Sequence, residues 1–312
     1  MEKLALDNDM LSKINDWMRS KYAIGTIESR NNYLKRLAKK YQYLDKENVR
    51  VIMKGIKYQH QRACLVMINK FCYDMGIDFN LNIPSTKKQP IKLPEILSPA
   101  EVKLMIDSAP KPYDLCIRCI FNMGAGLRIS EIIKFSWNHI RWVDWLSNKA
   151  EYGVALIKSG KGSKDRVVNI PPKLMNDLYE YAKKEGVLNE FKIPTGGMIF
   201  DFGSKDISER KKRNGSKLMA YDMDKWKHEY VKTRYNWFRY NILQQHCEKA
   251  LNKHIKIHSL RHSRATYLYE VEKVPVEKIQ ILLGHSSLNT TMLYTKINPI
   301  SVFELLKNTN EI

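Results

Sequence analysis

Residues 82–97 read NIPSTKKQPIKLPEIL, with three prolines, three lysines and neither a helical nor a strand period. Proline fixes φ and donates no backbone hydrogen bond, so this stretch cannot continue an element from either side and suits an extended tether. Directly after it, Ser98-Pro99-Ala100-Glu101 supplies an N-cap, a proline at the first helical position and a capping-box glutamate. A chain of 312 residues is also longer than one hydrophobic core usually supports. The expectation is a helical domain over 1–84, a linker over 85–97 and a second domain over 98–312.

The first domain reads as four helices. Leu11, Ile14, Trp17 and Met18 make one apolar stripe. Arg30, Leu34, Leu37 and Tyr41 follow from Thr26, read as an N-cap. Asp45 can cap a third helix carrying Val49, Ile52 and Met53, and Leu65, Ile68, Cys72 and Met75 mark a fourth. These helices carry Arg30, Lys35, Arg36, Lys39, Lys40 and Arg62, which form either a solvated face or a surface for a polyanion.

The second domain begins helically, breaks at Gly124-Ala125-Gly126, and resumes near Ser130. Then the period changes. Val154 to Ile157 and Val167 to Ile170 are β-prone runs around SGKGSKD, a hairpin with Gly160, Lys161 and Gly162 at its tip. Helical patterns return at 173–185, about 233–252, 259–270 and 276–283, with Gly284 as the closing residue. Residues 201–232 are polar and crowded with charge and read as a basic loop, either a surface insertion or a phosphate contact. The fold class is therefore mainly α with a small antiparallel β-sheet.

Charge narrows the partner. Lys plus Arg number 53 against 33 Asp plus Glu, a formal net charge of +20, which suits a large polyanion as partner, the alternative on charge alone being a merely soluble basic protein. The hydrophobic runs are short and broken by charge, so no spanning helix or signal peptide is expected. That points to nucleic acid in the cytoplasm, at the nucleoid, and away from a membrane. The five cysteines are an odd number in a long chain and read as reduced. Cys116 and Cys119 form a C-x-x-C on a helical apolar pattern with no second pair to complete a zinc site, which reads as core packing.

Taken singly, the chemistry-bearing residues decide little. His258 and Arg261 are three apart on a helix and can converge on one anion, Arg261 with a planar fork suited to phosphate oxygens. Tyr294 lies nine residues after His285. In combination, Gly126-Leu127-Arg128-Ile129-Ser130-Glu131, the Gly-Lys-Gly turn at Lys161, the pair His258 and Arg261, Gly284-His285 and Tyr294 follow one another in an order and spacing that resembles the tyrosine recombinases, the Xer-like and phage-integrase enzymes. The resemblance runs from about Leu97 to Asn298, and the N-terminal helices resemble that family's core-binding domain.

The resemblance implies a four-helix core-binding domain, a mixed α/β catalytic domain, and an active site of Arg128, Lys161, His258, Arg261, His285 and Tyr294. Glu131 matches the family's accessory acidic position. It also implies DNA strand exchange through a 3′-phosphotyrosine intermediate without metal, ATP or other cofactor. The partners it implies are double-stranded DNA bearing a specific site and a homotetramer on two such sites, with the need for accessory DNA-binding proteins left open. The C-terminal segment 301–312 would dock into a neighbouring protomer or pack on its own domain.

Some alternatives stay open at this level. Lys158 and Lys164 compete with Lys161, because the stretches on either side of that hairpin look longer than in compact Xer-like chains. His258 suits either a proton acceptor or a phosphate donor. Arg264, in HSRAT, is either an extra DNA contact or an exposed position. A type IB topoisomerase or a DNA-binding protein without catalysis would share much of this pattern; a metal-dependent nuclease would want carboxylates clustered near His258 and His285, which the sequence lacks.

Overall fold

Asp7 opens the first helix, α1 (Asn8–Lys21), where its carboxylate accepts from the Met10 N–H at 2.8 Å and satisfies one of the donors that a helix start leaves unpaired. The computed structural model describes residues 3–55, 59–83, 94–147, 150–158, 165–203 and 220–284, with the backbone alone for 59–60 and 220–227. These residues divide between two compact units, Met1–Pro90 with Ser216–Glu229, and Ile91–Gly215 with Tyr230–Ile312. The first unit thus takes in a segment from far along the sequence, of which the proline-rich tether gives no hint.

In that unit α1 is followed by α2 (Ile24–Lys40), α3 (Lys46–Lys54) and α4 (Gln59–Asp74). Asp45 caps α3 through the Asn48 N–H at 2.7 Å. Thr26 does not cap α2. That helix starts earlier, from Ala23 and with no side-chain cap, its entry held by Ile24 and Ile27 against the core. Ile14, Met18, Leu34, Leu37, Leu65 and Phe71 meet in one apolar cluster. The strands β1 (Leu4–Ala5) and β2 (Tyr43–Leu44) pair antiparallel beside it, too short for an alternating pattern to reveal.

The second unit opens with α5 (Pro99–Ser108). Ser98 Oγ accepts from the Glu101 N–H at 3.2 Å and the Glu101 carboxylate accepts from the Ser98 N–H at 2.7 Å, the reciprocal capping box that the sequence predicts. Helix α6 (Tyr113–Asn122), the short α7 (Ile129–Ile132) and α8 (Trp142–Leu146) lead to an antiparallel hairpin of β3 (Gly153–Ile157) and β4 (Arg166–Ile170), in which Ile157 faces Arg166. Then come α9 (Pro172–Lys184), α10 (Ala220–Phe238), of which 220–229 belong to the first unit, a π-helical stretch Arg239–Cys247, α11 (Glu248–Leu251), α12 (Ile257–Glu270) and α13 (Val276–Leu283). Gly284 closes α13 with φ +66°, the left-handed conformation open to glycine at little cost.

The polar stretch 201–232 is not a loop throughout, because α10 begins at Ala220. Residues 220–251 contain neither glycine nor proline, and their many Lys, Glu and Arg residues are good helix formers whatever their polarity. Cys116 and Cys119 are fully buried in α6 and are free thiols; burial pushes both well above the ordinary thiol range. Among the described residues no helix is long and apolar enough to cross a membrane.

Candidate active site

The site grows out of the turn between α6 and α7. Gly124 and Gly126 take φ of +56° and +99°, and a side chain at Gly126 would put its Cβ 3.1 Å from Arg261 Cα. The glycine therefore lets the turn lie directly on α12. At that contact Arg261, 1% exposed, donates from Nη1 to Gly126 O and from Nη2 to Leu283 O, each at 2.5 Å. Its guanidinium is thus fixed between the turn and the last residue of α13. Gly126→Ala combines a left-handed φ with this close approach and is expected to lower stability by about 1–3 kcal/mol, measured by thermal melting; an unchanged melt would mean that the turn relaxes freely.

Arg128 leaves the same turn as the residue before α7. Glu131, within that helix, accepts from the Arg128 backbone N–H at 2.7 Å and from its Nη1 at 2.9 Å. The other claim on Glu131 comes from Arg166 at the start of β4, which donates from Nη1 to Oε1 at 2.7 Å and from Nη2 to Oε2 at 2.9 Å. Burial alone would push the Glu131 carboxyl up. The hydrogen bonds and charge of Arg166, the Arg128 N–H and the charge of Arg261 outweigh it and hold that carboxyl at about 2, so it stays a carboxylate.

His258 stands one turn before Arg261 on α12. Its pKa is lowered, first by the packing around it and then by the positive charges of Arg261 and Arg128, against an opposing pull from Glu131. His262 packs edge-on against the His258 ring at 4.9 Å, and burial, His258 and Arg261 push its pKa down to about 4. Ser263, on the same helix, accepts from the Leu97 N–H at 2.7 Å and donates to Ser259 O. The helix bearing His258 and Arg261 is therefore tied to the segment that leads into α5.

The structure brings together Arg128, Glu131, His258 and Arg261. Lys161, His285 and Tyr294 lie outside the described residues, as does Lys164. Lys158 is described, exposed just after β3, and its charge adds to burial in lowering the pKa of His139. Two guanidiniums, a largely neutral imidazole and a locked carboxylate make a preorganised cationic cluster, a donor set of the kind suited to charge developing on a phosphoryl oxygen.

A family model, the phage integrase family, matches residues 95–299 and so takes in every one of these positions. The chain belongs to the phage integrase family. Tyrosine recombinase XerA of Thermococcus kodakarensis is 30% identical over 225 residues, which are 71% of this chain and 65% of that protein. The chain thus spans a little under two thirds of that relative's length. Among solved structures, the XerH site-specific recombinase bound to palindromic difH substrate has a TM-score of 0.60 at 20% identity, covering 96% of this chain and 84% of that one. The Tn1549 transposon integrase in complex with circular intermediate DNA has a TM-score of 0.54 at 18% identity, covering 96% and 99%. These two share the fold: mainly helical, with a small antiparallel sheet.

In this integrase-family chain Arg166 is the site neighbour that sequence reasoning missed. A signal was present. Strand β4 buries alternate residues, Arg166, Val168 and Ile170, so an arginine falls in phase with the core, and a charge on the buried face of a strand requires a buried partner. The N-terminal basic residues sit differently. Lys35, Arg36, Lys39 and Lys40 are exposed on α2, Arg30 lies over the Tyr22 ring at 4.1 Å, and Arg62 is half-buried on α4. Arg264 pairs with Glu272 at 2.9 Å.

Proposed function

We propose that this chain is a site-specific tyrosine recombinase that cuts and rejoins double-stranded DNA. The observation that carries the reading is the meeting of Arg128, His258 and Arg261 around a carboxylate locked in its charged state, in a family-matched segment that also contains Tyr294. The Tyr294 oxygen attacks the scissile phosphorus, forms a bond to the 3′-phosphate and expels the 5′-oxygen. His258 accepts the tyrosine proton, Lys161 protonates the leaving oxygen, and Arg128, Arg261 and His285 bear on the non-bridging oxygens. Attack by a 5′-hydroxyl from a partner strand reverses the step, so the phosphodiester bond energy is conserved and neither ATP nor metal is consumed. Two duplexes present four strands, which a homotetramer serves with one tyrosine each.

DNA affinity comes from phosphate contacts by the exposed stripe of Lys35, Arg36, Lys39 and Lys40 with Arg30 and Arg62, and falls steeply with salt. Arg264 reaches DNA only by leaving Glu272. The setting is DNA in the cytoplasm, chromosomal or mobile.

The test is trapping on a nicked suicide duplex carrying a site that the protein itself selects from a random pool, run on denaturing gels in chelator. A covalent protein–DNA band is expected. No band on a duplex that is bound would overturn the reading in favour of DNA binding without catalysis, and plasmid relaxation without strand exchange would favour a topoisomerase.

A pH profile tests the acceptor. Because the His258 pKa lies below its ordinary 6.5, the folded protein prefers the neutral ring, and this preference weakens stability as pH falls from 6.5 through the lowered value. The cleavage rate at sub-saturating protein, which reports the free enzyme, should hold down to pH 6.5 and decline only below it. A decline already complete at that pH would exclude His258 as the acceptor.

A further inference from the structure

Arg166 takes no part in the proposed strand cleavage, yet it is only 8% exposed and its side-chain hydrogen bonds run to Glu131 and to the end of α13. Besides its two bonds to Glu131, its Nε donates to Leu282 O at 2.9 Å, and its Cδ lies 3.2 Å from where a Cβ on Gly284 would stand. Three parts of the site meet at this side chain. Its own strand β4 is the far arm of the hairpin, and Lys161 lies in the sequence between the two strands. Glu131 is the carboxylate that holds both the backbone and Nη1 of Arg128. Leu282 and Gly284 close the helix after which His285 follows directly in sequence.

We propose that Arg166 is a positioning residue that holds the hairpin, Arg128 and the end of the helix preceding His285 in one register, so that strand cleavage depends on it and DNA affinity does not. This rests on the recombinase reading. The geometry demands arginine in particular. A lysine can balance the charge of Glu131 but cannot present two parallel N–H groups to a carboxylate and, from the same rigid plane, a third to a carbonyl. Without the fork, Glu131 keeps Arg128 beside it and feels Arg261 and His258 from α12, while α13 contributes the Leu282 carbonyl and no described charge to this contact. Burial then raises its affinity for a proton, and a protonated Glu131 holds Arg128 through one oxygen fewer.

The experiment compares full-length wild type, Arg166→Lys and Arg166→Met on the self-selected suicide duplex. DNA affinity, single-turnover formation of the covalent band against pH, and melting temperature are measured for each. Arg166→Lys is expected to bind DNA within about twofold of wild type and to cleave about 10²-fold more slowly, the size of effect that small misplacement of reacting groups produces. Arg166→Met is expected to gain an acid limb at higher pH than wild type, as Glu131 begins to titrate. Cleavage by Arg166→Lys at the wild-type rate overturns the inference. So does a loss of cleavage in step with DNA binding and folded protein, which is what a structural role alone gives. A wild type that binds the duplex but forms no covalent band overturns the recombinase reading itself, and this inference with it.

Discussion

Tyr294→Phe is expected to abolish the covalent protein–DNA species, by about 10⁴-fold or more, while DNA affinity stays within about twofold of wild type. The substitution keeps the ring and removes one oxygen, so it tests the nucleophile and little else. A tyrosine is a poor nucleophile at neutral pH because its pKa is near about 10, and it reacts only where cations stabilise the phenolate or a base takes the proton. On the recombinase reading, Arg128 and Arg261 supply the cations and His258 the base. Elsewhere the fold works against such activation. Burial and the neighbouring carboxylates push Tyr181 up to about 12 and Tyr113 higher still, and the Tyr113 hydroxyl is engaged with the Asp201 carbonyl. The measurement is the yield of covalent band on the suicide duplex beside a gel shift on the intact one. A band that survives Tyr294→Phe would mean that another residue attacks.

Legibility followed how local the controlling interaction is. The capping box at Ser98 and Glu101, the Asp45 cap, the β3–β4 hairpin and the glycine that ends α13 are all set within a few residues, and each reads directly from sequence. The start of α10 does not. Its first turns lie in a run of charge that also suits a loop, and part of that run belongs to the first unit. Helix α12 is a different case. Its buried positions include Ser259, Arg261, Ser263 and Thr266, so polarity does not mark its inner face, and His258 and Arg261 came to notice through their spacing and the resemblance. Arg166 stayed hidden because its importance lies in contacts to Glu131 and Leu282, 35 and 116 residues away. Of the candidate site, Arg128, Glu131, His258 and Arg261 meet, while Lys161, His285 and Tyr294 fall outside the described residues.

The most costly single change to the fold of the site is expected at Glu131. Its side chain and that of Arg166 are each 6% exposed, and removing one member of a buried ion pair strands the other charge away from water, which costs about 3–5 kcal/mol. Glu131→Ala should therefore unfold at markedly lower denaturant concentration than wild type, with an unchanged slope if only stability is affected. The loss should depend on pH in one direction. Because the folded carboxyl sits near 2 against an ordinary 4.5, its charge contributes its full stabilisation above 4.5, and that contribution fades as pH falls from 4.5 towards 2. The gap between wild type and Glu131→Ala should narrow over the same range. Replacing both partners, Glu131→Leu with Arg166→Met, should recover much of the loss at neutral pH, because no buried charge then lacks its partner, although Arg128 still loses its anchor. Folding would return without cleavage, which separates what the pair does for the fold from what it does for Arg128. A loss below about 1 kcal/mol in Glu131→Ala, the worth of an exposed pair, would mean that water reaches Arg166 and that the carboxylate is not its support.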